Sequence, residues 1–183
     1  IRESQGENGA IYTTAPRYAN FDGATRIGYT IEWGAAGVIL PWQLYRWYGD
    51  RRVLKQNYAS MKAFVDHITR SCINQVPPGG LGDWFDFGHG QPRGASKFTP
   101  PELTAMATYY RCTKVLADTA EILGHGEDAR KYATLAVDIK ATYNTTFYKG
   151  AGEYQHNGSP QTANSISLVT GLCNPAEEES VLQ

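Results

Sequence analysis

Gly34-Ala35-Ala36-Gly37-Val38-Ile39-Leu40-Pro41-Trp42-Gln43-Leu44-Tyr45-Arg46-Trp47-Tyr48-Gly49-Asp50-Arg51-Arg52 is the stretch whose reading decides the fold. From Gly34 to Tyr48 the apolar residues fall on every side of a helix, which predicts a helix buried on most sides. Pro41 lies inside it, so a kink is expected there, or a start of the strict helix near it. Gly49 stops the helix and Asp50 can cap the next one. That next helix runs from about Arg51 to Ser71. It carries one apolar stripe (Val53, Leu54, Tyr58, Met61, Val65 and Ile68), with Lys55, Lys62, Asp66 and Arg70 opposite. A buried helix joined through two residues to an amphipathic one is an αα-hairpin.

The same unit recurs further along. Thr99-Pro100-Pro101-Glu102 reads as a helix start, with Thr99 as cap, Pro100 in the first turn and Glu102 completing a capping box. This third helix runs to Leu123 with the stripe Leu103, Met106, Tyr110, Leu116, Ala120 and Leu123, and Gly124 ends it. A fourth helix follows Gly126-Glu127-Asp128 and ends near Phe147, with the stripe Tyr132, Leu135, Ala136, Ile139 and Tyr143. A further helical stretch spans about Thr162 to Leu172, and Pro175 opens another. Long, polar or glycine-rich loops occupy 1–32, 73–98 and 148–161. The order is therefore long loop, inner helix, short turn, outer helix, then long loop again. Its period of roughly 65 residues exceeds that of the common helical repeats. Each long loop joins an outer helix to the next inner one, so all of them lie at one end. That connectivity predicts an all-α fold of antiparallel helical hairpins forming part of an (α/α) toroid, with one rim of loops around a central pocket.

Composition narrows the function. A hydrophobic content of 42%, a charged content of 19% and a net charge of -1 give no basic footprint for nucleic acid. No apolar run is long enough for a bilayer, and no basic stretch followed by an apolar one opens the chain. Cys72, Cys112 and Cys173 have no metal-type spacing, and an odd number argues against a disulfide framework. They read as small core residues. No metal or cofactor is implied. Aromatics reach 12%, with four Trp and 12 Tyr, which suits core filling and also stacking against sugar faces. The chain opens Ile1-Arg2-Glu3, and its last residues, Glu177 to Gln183, have the make-up of a helix's opening turns. The expectation is that residues 1–183 form one partial domain cut at both ends, with the remainder of the parent polypeptide as partner.

Glu32-Trp33-Gly34 with Val38 to Tyr45 and Tyr48-Gly49-Asp50 resembles the bacterial α-L-rhamnosidases of glycoside hydrolase family 78. Gly80-Leu81-Gly82-Asp83-Trp84 resembles that family's Gly-Asp-Trp loop, and Thr99-Pro100 with Glu102-Leu103 its next inner-helix start. Gln161-Thr162-Ala163-Asn164-Ser165 resembles its Gln-Thr-Ala-Asn-Ala stretch. The resemblance implies an (α/α)6 barrel of six hairpins inside a larger bacterial enzyme, in the cytoplasm or periplasm. It implies hydrolysis of a terminal α-L-rhamnoside with inversion, by a glutamic acid and a second glutamate. Inversion places two carboxyl groups roughly 6.5–9.5 Å apart. Neither of the family's catalytic motifs matches within this chain, so no catalytic residue is assigned here. Two alternatives share parts of this reading. One is another toroid glycosidase of the debranching or trehalase type, whose pocket would offer more polar groups to a C6 hydroxyl. The other is a non-catalytic helical-repeat scaffold, which predicts short loops on both faces.

Trp33 and Trp84 resemble two tryptophans of the family's rhamnose pocket, and a 6-deoxy sugar with an apolar face gains from an indole wall. Asp83 is expected either to accept from sugar hydroxyls or to cap local amides in its turn. Glu32 is expected either to face the pocket or to pair with an arginine. Asp86 is a weaker candidate for sugar contact, with a loop-surface role favoured. His89 reads as an exposed loop residue, His67, His125 and His156 as surface, and Trp42 and Trp47 as core.

Overall fold

The computed structural model describes residues 2–16, 29–84, 86 and 96–183. Seven helices are seen among them: α1 (Ile31–Gly34), α2 (Ala36–Tyr48), α3 (Arg51–Ser71), α4 (Pro101–Leu123), α5 (Gly126–Phe147), α6 (Gln161–Val169) and α7 (Glu178–Leu182). Short 3-10 turns cover Arg2–Ser4 and Pro175–Glu177. Among the described residues there is no β-strand, only isolated bridges between Ile73 and Val76 and between Tyr148 and Tyr154. No helix among them is long and apolar enough to cross a membrane.

The turn between α2 and α3 forms as its residues dictate. Gly49 ends α2 with φ 68°, and the Asp50 carboxylate accepts from the Arg52 amide at 2.9 Å. Pro41 sits inside a continuous α2, and the interruption falls earlier, at Ala35 between α1 and α2. The start of α4 departs from expectation. The helix begins at Pro101, and Pro100 occupies the cap position with no side-chain cap bond. A proline there has no hydroxyl to offer the first-turn amides. Thr99 is one residue too early, and its buried hydroxyl makes no hydrogen bond among the described residues.

The packing follows chain order. α2 lies on α3, α4 on α5, and α3 on α4; α4 also touches α1, α2 and α6. α4 is the innermost helix, with Leu103, Met106, Tyr109, Cys112, Leu116 and Ala120 all buried. Around it pack Met61, Phe64, Val65 and Ile68 of α3 and Tyr132, Ile139 and Tyr143 of α5. The cysteines are unpaired, Cys112 and Cys173 within the core and Cys72 at its edge.

The expectation that α2 is buried on most sides is corrected. Only Gly37, Val38 and Pro41 of α2 are buried, and Trp47, read as core, is 80% exposed. α3 and α4 cover one side of the helix, while Leu40, Leu44 and Tyr48 face outward on another. Trp42 is partly buried against the core. His67, read as surface, is half-buried: its ring meets the edge of Tyr29 at 5.1 Å.

The loops converge at one end. The segment before α4 meets the segment before α6 through Asn157 N–H to Phe98 O at 2.9 Å. Beside it, Tyr154 is fully buried and donates its amide to Asn164 Oδ1 at 3.0 Å. Trp33, Trp84 and the residues around Tyr154 therefore share the rim that the connectivity predicts.

Candidate functional site

Two indoles mark the rim. Trp33 projects from the one-turn helix α1, whose Thr30 hydroxyl accepts from the Trp33 amide at 3.4 Å. Trp84 lies in the loop 73–98 that precedes α4. Their ring centroids lie 6.3 Å apart at an interplanar angle of 63°, an edge-to-face pair. Each keeps much of its surface open, 39% for Trp33 and 40% for Trp84. The two apolar ring systems meet at an angle, each partly exposed.

The loop carrying Trp84 is held amide by amide. Leu81 N–H donates to Glu32 Oε1 at 2.9 Å, Gly82 N–H to Thr104 Oγ1 at 3.0 Å, and Asp83 N–H to Ser96 Oγ at 2.9 Å. Thr104 in turn donates to Glu32 Oε1 at 2.7 Å, sharing its proton with Pro101 O at 3.0 Å. Two glycines are required by this arrangement. A Cβ on Gly80 would sit 2.3 Å from Pro101 O and 2.7 Å from Glu32 Oε1. Gly82 has φ 64°, and a Cβ there would meet Ser96 Cβ at 2.3 Å.

The acidic candidates all have partners inside the protein. Glu32 pairs with no arginine among the described residues. Its Oε1 takes the two bonds above, and its Oε2 is buried with no hydrogen-bond partner among the described residues. Asp83 caps no amide of its own turn among the described residues; its Oδ2 accepts from Thr162 Oγ1 of α6 at 2.7 Å. Asp86 is not on the loop surface. It is 7% exposed, and its Oδ2 accepts from the amides of Lys97 at 2.7 Å and Phe98 at 2.8 Å. His89 lies outside the described residues. Among the described residues no three His, Cys, Asp or Glu side chains are grouped to hold a metal ion.

Thr104, Ser96, Thr162 and Asn164 carry much of the rim and were not singled out individually by sequence. Thr162 and Asn164 lie in a stretch whose resemblance was visible. Asn164 joins the third loop to the chain end, donating to Gly152 O at 2.9 Å and Val181 O at 3.3 Å. Tyr29 lies beside this rim with a buried hydroxyl, and burial raises its pKa well above the ordinary phenol value.

The comparisons agree with this architecture. The profile of the bacterial alpha-L-rhamnosidase 6 hairpin glycosidase domain matches residues 1–183, and the chain belongs to that family. An alpha-L-rhamnosidase of Alteromonas sp. (strain LOR) is 29% identical over 190 residues, covering 100% of this chain and 20% of that protein. The crystal structure of Streptomyces avermitilis alpha-L-rhamnosidase complexed with L-rhamnose superposes with a TM-score of 0.82 at 28% identity, over 98% of this chain and 16% of that one. The alpha-L-rhamnosidase from Dictyoglumus thermophilum gives a TM-score of 0.83 at 28% identity, over 100% and 20%. The chain thus spans at most a fifth of the length of these relatives, 20% for the Alteromonas protein.

Proposed function

We propose that this chain forms part of an (α/α)6 catalytic domain and supplies one wall of the sugar pocket in an enzyme that removes terminal α-L-rhamnose by inverting hydrolysis. The observation that carries this reading is the half-exposed Trp33–Trp84 pair on the loop rim of a member of the rhamnosidase family. Two indoles at an angle offer one surface to the apolar face of a 6-deoxy pyranose and another to its methyl group. Desolvation of both is favourable. A relative solved in complex with L-rhamnose supports the same sugar class. The general acid and base are assigned to parts of the polypeptide beyond these residues. The uncovered apolar side of α2, with Leu40, Leu44 and Trp47, is consistent with a further hairpin packing there.

The test is made in the polypeptide that carries this chain. Trp84→Ala removes a stacking surface and admits water, at a cost of about 1–3 kcal/mol in transition-state binding. That is roughly a tenfold to hundredfold loss of kcat/KM on an aryl α-L-rhamnoside. Trp84→Phe keeps a flat ring and recovers much of it. The melting temperature changes little, because a rim ring supports few core contacts. A core tryptophan gives the reverse, a loss of about 3–5 kcal/mol in stability. Large destabilisation with normal kinetics in the folded fraction refutes the pocket role.

A further inference from the structure

We infer that Glu32, acting with Thr104, is a positioning residue that fixes the Trp84 loop against Trp33. The inference rests on the reading of these two indoles as the sugar wall. Glu32 was a candidate for direct sugar contact, and the geometry points elsewhere. A carboxylate that receives hydroxyls from a bound sugar must present an open oxygen. Glu32 Oε1 already accepts from Leu81 N–H and Thr104 Oγ1–H, and Oε2 is buried.

What these bonds hold is specific. Glu32 is adjacent in sequence to Trp33 and shares its one-turn helix. Leu81 and Gly82, whose amides end on Glu32 and Thr104 respectively, lie three and two residues before Trp84. One acceptor cluster therefore ties the backbone of one indole to the backbone of the other. An irregular loop has no ladder to satisfy its amides, so side chains must do so. The approach is tight: a side chain on Gly80 would collide with Glu32 Oε1 itself. The loop is seated on the Glu32 carboxylate, and moving that carboxylate moves both walls. Misplacement by about 1 Å in such a site costs up to roughly a hundredfold in function.

The experiment uses Glu32→Ala, Thr104→Val and Thr104→Ser in the polypeptide that carries this chain. Hydrogen exchange at the Leu81 and Gly82 amides is measured without sugar, and L-rhamnose affinity and rhamnoside kinetics are measured alongside. Thr104→Val keeps shape and removes the hydroxyl; Thr104→Ser restores it. Positioning predicts that Glu32→Ala and Thr104→Val each raise exchange at both amides at least about tenfold. L-rhamnose binding weakens in parallel and KM rises while the protein stays folded at the assay temperature. Thr104→Ser returns exchange and affinity to native values. Native exchange in Thr104→Val overturns the proposal. So does faster exchange with unchanged rhamnose affinity, provided that Trp33→Ala and Trp84→Ala weaken that affinity. If those two variants bind rhamnose as the native protein does, it is the sugar-wall reading that fails, and the exchange measurement still decides whether Glu32 and Thr104 hold the loop.

Discussion

Asp86 illustrates how a single residue divides between recognition and support. Its sequence setting, between Phe85 and Phe87 in a glycine-rich loop, suggests a surface acid. Folded, it is buried and holds the Lys97 and Phe98 amides, bridging the two sides of the loop. Asp86→Ala leaves those amides without their acceptor in a place water reaches poorly. The expected cost is about 1–3 kcal/mol, read by chemical denaturation. Asp86→Asn retains an acceptor oxygen and recovers part of it; equal stability for all three proteins contradicts the assignment. The sequence identifies the residue types at the rim but not their partners. Trp33 and Trp84 were picked out through the family resemblance and their place on the predicted loop rim. The roles of the aspartates and Glu32 were not legible, because their partners are Thr104, Thr162 and backbone amides 11 to 79 residues away.

At the level of elements, α3 and α5 are joined by a polar seam. Asp128 accepts from Tyr58 Oη at 2.6 Å and from Lys62 Nζ at 2.7 Å, and Asp66 accepts from Tyr132 Oη at 2.8 Å. The Lys62 ammonium, and next the Tyr58 hydroxyl, hold the Asp128 carboxyl below its ordinary pKa. A carboxyl lowered on folding stabilises the folded state above its unfolded pKa, and that stabilisation is lost as pH falls through the folded value. Asp128→Asn should therefore cost about 1 kcal/mol near neutrality. The difference from the native chain should begin to shrink as pH falls to about 4, the ordinary carboxyl range, and vanish only below the lowered folded-state pKa. Denaturation of both proteins across that range checks it; a gap that persists in acid contradicts the ion pair as its source. The helices themselves were largely legible. Local rules fix their ends, as at Gly49, Asp50 and Gly124, and the stripes of α3 and α5 match their buried faces. The start of α4 was misread because two successive prolines displaced the cap. The burial of α2 was misread because an all-round apolar pattern reports what a helix is able to bury, not what covers it.

For the whole molecule, the toroid connectivity was readable because loop lengths alternate. The sugar proposed for the rim was reached only through resemblance. The division of labour proposed above has a direct outcome: the isolated 183-residue chain should not hydrolyse an aryl α-L-rhamnoside, since the proton-transfer pair lies beyond it. Steady-state assay of the purified chain is the check. Robust turnover free of contaminating enzyme would relocate the catalytic carboxylates to Glu32, Asp83 or Asp86.

The rim bonds also have a consequence in time. Helix pairs such as α2 with α3 and α4 with α5 meet across short turns, and such contacts form early at small entropic cost. The bonds from Glu32 to Thr104 and from Asp83 to Thr162 close 72 and 79 residues of chain, and have no partner until separate hairpins have docked. They should be absent from the folding transition state. Asp83→Ala should accelerate unfolding and leave the refolding rate nearly native, which stopped-flow chevron measurements read directly. A refolding rate slowed as much as stability falls would place the rim in the nucleus instead. On this ordering, the surface proposed to meet the sugar is the last part of the molecule to be assembled and the first to be lost.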